Sequence, residues 1–185
     1  MVVRALPCCY PAIAGKMNGS KEMAMSEKLT EGVFQVGVMV SDIDECIRLF
    51  HGALGMDIVF EARNVPQREK GLTGVDLAVM DVLMLHGEDG VDLEIHRYVD
   101  PPAVPTPPLN HNQIGSMHFM LRCKDIGKVV ERVTALGYKF MIPVVESPHI
   151  PGFKYTYFRG PDGMMVELHE GISRIPSSYK GGKHV

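Results

Sequence analysis

Along residues 34–40 the apolar positions Phe34, Val36, Val38 and Val40 alternate with Gln35, Gly37 and Met39, the period of a strand with one buried face. The period then changes. Asp42, with Glu45 at the third helical position, reads as a helix N-cap, and Ile47, Phe50 and Leu54 follow at helical spacing until Gly55 stops the helix. Strands are predicted next at 56–61, around 75–83 and at 91–98, so the order of elements is βαβββ.

Residues 99–113, VDPPAVPTPPLNHNQ, carry five prolines, which cannot join regular ladders and mark a stiff linker. Beyond it the same grammar returns. A strand is predicted at 117–123, with Met117, Phe119 and Leu121 toward the helix. Asp125 then caps a helix carrying Val129, Val130, Val133 and Leu136, Gly137 ends it, and a strand follows at 138–142. A proline-bearing loop leads to a closing hairpin around Pro161-Asp162-Gly163, whose proline presets φ and whose glycine accepts positive φ.

Landmarks match in order between the halves: Gln35 with His118, Asp42-Ile43 with Asp125-Ile126, Leu54-Gly55 with Leu136-Gly137, and Leu93-Glu94-Ile95-His96 with Val166-Glu167-Leu168-His169. A repeated unit of this length has architectural meaning. The expected fold is α+β, with two βαβββ modules pairing to form a curved mixed sheet. Residues 1–29 are read as a disordered extension, 30–98 as the first module, 99–113 as the linker, 114–171 as the second module and 172–185 as a tail.

In the last strand, alternation puts Met165, Glu167 and His169 on one face and Met164, Val166 and Leu168 on the other. The second set suits a core. A carboxylate between a methionine and a histidine needs a partner or a metal to be buried. The same parity turns Gln35, Glu94 and His118 away from the helices. If the two sheets curl toward one another, Gln35, Glu94, His118 and Glu167 converge as one amide oxygen, one imidazole nitrogen and two carboxylates. That set contains no sulfur and suits a divalent Zn, Ni, Co, Mn or Fe ion, with positions left open for substrate. His96 and His169, two residues past the glutamates, are candidates for supporting partners or proton carriers; a strand-end histidine is otherwise simply solvated.

Composition narrows the remaining classes. With a net charge of −3 and scattered Lys and Arg there is no nucleic-acid footprint, and no apolar run approaches the roughly 20 residues that span a bilayer. Four cysteines, two of them adjacent at Cys8 and Cys9, do not make a disulfide framework, so a reducing, cytoplasmic setting is expected. Residues 1–28 carry few arginines and two prolines, a poor import signal, although organellar import through this extension is the alternative. Arg63, Arg68, Lys70 and Arg159 are loop cations, a type that is ordinarily solvated.

The paired modules, the helix starts at Asp42-Ile43 and Asp125-Ile126, the A-L-G helix ends and the closing P-D-G-x-x-V-E-L resemble the vicinal oxygen chelate superfamily, which includes glyoxalase I, methylmalonyl-CoA epimerase, extradiol dioxygenases and the bleomycin- and fosfomycin-resistance proteins. The resemblance covers about 33–171. It implies that the family's ligand positions fall on Gln35, Glu94, His118 and Glu167, a set similar to that of glyoxalase I. It also implies a homodimer and a metal-dependent lyase, isomerase or epimerase in which Glu167 moves a proton and Glu94 is the opposing carboxylate. The positions that anchor glutathione in such enzymes hold Met39, Tyr98 and Ile114 here, so the small-molecule substrate is expected not to be a glutathione adduct. An Fe(II) extradiol-type dioxygenase, which prefers two histidines and one carboxylate, and a metal-free antibiotic-binding protein are the alternatives.

Overall fold

Two aspartates start the two helices. In the computed structural model, which describes residues 29–68, 74–88 and 90–172, the Asp42 carboxylate accepts from the backbone N–H groups of Asp44 and Glu45, and Asp125 accepts from that of Lys128. Helix α1 (Ile43–Cys46) runs directly into a π-helical stretch (Ile47–Ala53), where the Leu54 N–H reaches the Leu49 carbonyl at 3.0 Å. The Glu45 carboxylate accepts from the Tyr138 hydroxyl at 2.6 Å and ties the first helix to the second module. Helix α2 (Ile126–Ala135) is regular, and Gly55 and Gly137 follow the helices at φ +77° and +94°, the left-handed stop that glycine permits.

The duplication is visible in the strand order. Strands β1 (Gln35–Met39), β2 (Asp57–Pro66), β3 (Val79–His86) and β4 (Asp92–Asp100) form a sheet ordered β1-β4-β3-β2. Strands β5 (His118–Arg122), β6 (Val145–Glu146), β7 (Lys154–Arg159) and β8 (Met165–Glu170) form a second, ordered β5-β8-β7-β6. In both, the first strand lies parallel to the last and the other pairs are antiparallel. Each is the four-stranded mixed sheet of a βαβββ module, and both belong to the unit that starts at Val33.

Both sheets give their inner faces to one core. Leu83, Leu85, Leu93 and Ile95 from the first and Phe158, Val166 and Leu168 from the second pack with Ile43, Leu49 and Phe50 of the first helix and Ile126 and Val133 of α2. Burial of side chains of this size contributes about 1.5–3 kcal/mol each. The outer faces turn away from that shared core. Polar ties reinforce the joint: Ser41 donates its N–H and its hydroxyl to the Asp162 carboxylate, both at 2.7 Å, which links the end of β1 to the closing turn.

Several expected boundaries shift. The strand expected at 138–142 is reduced to one bridge, Phe140 to Phe158, because Pro143 follows and the short β6 takes over the edge. The strand expected from about 75 begins at Val79, and β2 runs on to Pro66. Phe34 and Met117, expected to face the helices, lie just outside β1 and β5 at 76% and 72% exposure, since neither sheet nor helix extends over them. Arg63 and Arg159 are not loop cations but lie on β2 and β7. Arg63 pairs with Asp44 at 2.7 Å, and Arg159 donates to the Gly163 carbonyl at 2.9 Å. The readings of residues 1–28, Lys70 and most of the tail lie outside the described residues. No helix among the described residues is long and apolar enough to cross a membrane.

Candidate functional site

The four candidate ligands stand on the outer faces as two pairs. Within the first module, Gln35 Nε2 donates to Glu94 Oε2 at 2.6 Å. Within the second, His118 Nε2 lies 3.2 Å from Glu167 Oε2. The two contacts are the same diagonal of the same ladder. Glu94 is in register with Gly37 and reaches back to Gln35, while Glu167 is in register with Met120 and reaches back to His118. In one chain the structure joins Gln35 to Glu94 and His118 to Glu167. Among the described residues no cluster of three or more His, Cys, Asp or Glu side chains is placed to hold one ion.

The pairs sit in different surroundings. Gly37 has no side chain beside Glu94, and a Cβ built there would meet Glu94 Oε2 at 3.8 Å, so this carboxylate stays accessible along β1. His96 Nε2 approaches the other oxygen, Oε1, at 3.2 Å. Glu167 is only 4% exposed. Tyr157 stands in register with it across the β7–β8 ladder. Burial, reinforced by the neighbouring Glu167 carboxylate, pushes the phenol up to about 12, so Tyr157 remains a donor at neutral pH. A buried carboxylate that keeps an imidazole and a phenol as partners is well satisfied for its depth.

His96 and His169 occupy matching sequence positions but different environments. His96 touches the site glutamate. His169 is buried, stacks on Phe153 with ring centroids 4.1 Å apart, and has its ring nitrogens 3.3 Å from the Lys154 carbonyl and 2.6 Å from the Ile172 carbonyl. It is a packing residue of the second sheet.

Two residues of the site went unnoticed in the sequence. Tyr157 is in register with Glu167 across the β7–β8 hairpin and therefore on its face, a placement that parity through the Pro161-Asp162-Gly163 turn would have given. His111 has no periodic signal because it comes from the proline-rich linker. That linker folds onto the second module. Pro108 lies where a Cβ on Gly163 would meet its Cγ at 2.3 Å, and Asn110 N–H donates to Gln113 Oε1 at 2.6 Å in the turn that follows. The turn brings the His111 ring edge-on to His118, with centroids 5.1 Å apart.

Residues 32–168 match the family model of the Glyoxalase/Bleomycin resistance protein/Dioxygenase superfamily. Among solved structures, a glyoxalase family protein from Bacillus cereus aligns at a TM-score of 0.70 and 24% identity, covering 81% of this chain and all of the other. A glyoxalase family protein from Enterococcus faecalis aligns at a TM-score of 0.54 and 21% identity, covering 76% of this chain and 98% of that one. A glyoxylase/bleomycin resistance protein/dioxygenase domain from Frankia sp. EAN1pec aligns at 0.54 and 18% identity over 77% of this chain and 99% of the other. At these identities the likeness is one of fold. No curated protein matches the chain.

Proposed function

The chain belongs to the glyoxalase/bleomycin resistance protein/dioxygenase superfamily, and on that footing we propose that it is a metal-dependent lyase, isomerase or epimerase whose site is completed where two copies meet. The observation that carries this reading is the repeated diagonal pair, Gln35 with Glu94 and His118 with Glu167, at equivalent register positions of the two modules. Each pair offers half of a four-ligand set of nitrogen and oxygen donors, and two carboxylates balance a divalent charge. Because both outer faces turn away from one core, a second copy is the source of the other half. The free edges support this. Strands β1 and β5 are the edge strands of their sheets, and the exposed Phe34 and Met39 beside one and Ile114, Met117 and Met120 beside the other are apolar surface that such an interface would cover.

The residues present fit a divalent ion such as Zn, Ni, Co, Mn or Fe, and Gln35, Glu94, His118 and Glu167 would hold it. When bound, such an ion polarises the neighbouring oxygens of a hydroxy-carbonyl substrate. The chain's own part is proton transfer. Glu167 is the base that takes a proton from the carbon beside the carbonyl, with Tyr157 and His118 fixing its carboxylate and its burial keeping water out. The protonated Glu167 then returns the proton to the neighbouring carbon or oxygen, and Glu94, more open and backed by His96, is the opposing carboxylate.

Elemental analysis after exhaustive dialysis should find about one equivalent of metal per chain, and sedimentation should find a dimer. Glu167→Gln should retain metal while losing turnover of small hydroxy-carbonyl substrates by about a hundredfold or more. Metal below about a tenth of an equivalent would overturn the reading.

A further inference from the structure

The rings on the outer face of the second sheet form an unbroken series. His111 meets His118 at 5.1 Å, His118 meets Tyr157 at 5.9 Å, and Tyr157 meets Tyr155 at 6.0 Å, all within the range of favourable ring–ring contact. Tyr155 and Tyr157 pair in register with His169 and Glu167, so they share the glutamate's face, and Met120 and Met165 flank the same ladder. Thioethers beside rings add polarizable, adaptable surface without charge. Of the cations nearby, Arg159 is held by the Gly163 carbonyl, and Arg122 stands in register with His169, at the opposite end of the ladder from His118. Among the described residues, the first module has no such series. The row through its glutamate runs Gly37, Glu94, Met84 and Phe60.

We infer that this ring series is the substrate's seat and that it takes a flat aromatic group, placed beside the His118–Glu167 pair. The inference deepens the proposed function by naming the substrate class, and it rests on that reading for the reaction but not for the binding. An aliphatic chain gains burial on such a surface. A planar ring gains burial and also edge or face contacts with His111 and Tyr155, each favouring it by about twofold to tenfold. His111 is the specificity residue. It reaches the seat only because the linker is docked on Gly163, and it is itself exposed, so its ring is available to a ligand.

The test uses the full-length protein stripped of metal with a chelator and two single-hydroxyl probes that differ only in planarity, 2-naphthol and decahydro-2-naphthol, titrated calorimetrically. Neither probe has a pair of neighbouring oxygens, so binding does not depend on an ion. The expected result is about tenfold tighter binding of 2-naphthol. His111→Ala and Tyr155→Leu should each erase about threefold or more of that preference, weakening 2-naphthol more than the saturated probe. Equal affinities for the two probes, no binding of 2-naphthol up to its solubility, or a preference indifferent to both substitutions would overturn the inference. Thermal midpoints of the variants confirm that they fold. Metal content of the untreated protein is measured in parallel, so a preparation without metal that still prefers 2-naphthol sinks the metal reading and leaves this one standing.

Discussion

The two modules repeat one backbone and diverge in what they build around the same glutamate. In the first, Glu94 has Gln35 and His96 as partners and a glycine beside it, which leaves it open. In the second, Glu167 has His118 and Tyr157, lies almost fully buried, and is overlooked by a linker histidine. Topology fixes where a carboxylate stands. The residues one rung away decide whether it is buried or accessible.

The largest expected contrast concerns the glycines four residues before each glutamate. Gly163 has φ +75° and is packed on Pro108, whereas Gly90 has φ +103° with nothing within 4 Å of a built Cβ. Gly163→Ala should therefore cost about 2–4 kcal/mol, combining backbone strain with overpacking against the linker, and Gly90→Ala about 1–2 kcal/mol from strain alone. Urea unfolding of both variants checks this, and equal losses would mean that the linker is not docked. Next are the histidines. His169→Ala should lower stability by about 2–3 kcal/mol through the lost stack on Phe153 and the cavity left behind. His96→Ala should leave stability within about 0.5 kcal/mol yet weaken metal binding about tenfold, since it supports Glu94. The smallest effect is at alkaline pH. The Tyr157 phenol is raised in the folded protein from its usual value near 10 to about 12, so its contribution is complete below pH 10 and is lost as pH rises toward 12. The thermal midpoint should fall over that window, and less steeply in Tyr157→Phe.

Periodicity and capping made the fold readable. Asp42, Asp125, Gly55 and Gly137 punctuate the helices as their chemistry requires, and strand parity separates Glu94 and Glu167 from the core residues on either side of each. Landmarks in the sequence could not say that the two outer faces turn from a shared core, because that depends on how both sheets pack on the helices between them. Nor could they distinguish His96 from His169, which hold matching places in their motifs and differ only through the ring of Phe153 and the carbonyls around it. His111 was hidden for a related reason. Prolines announce a stiff segment but not the surface on which it comes to rest.

The central claim is that one ion is shared between the Gln35–Glu94 pair of one copy and the His118–Glu167 pair of another. Mixing Glu94→Ala protein with Glu167→Ala protein tests it directly, since each mixed dimer would then contain one site with both glutamates intact and one with neither. After unfolding, refolding together and dialysis, the mixture should hold about a quarter equivalent of tightly bound metal per chain, where either variant alone holds almost none. A mixture that binds no more than its separate parents would contradict the account.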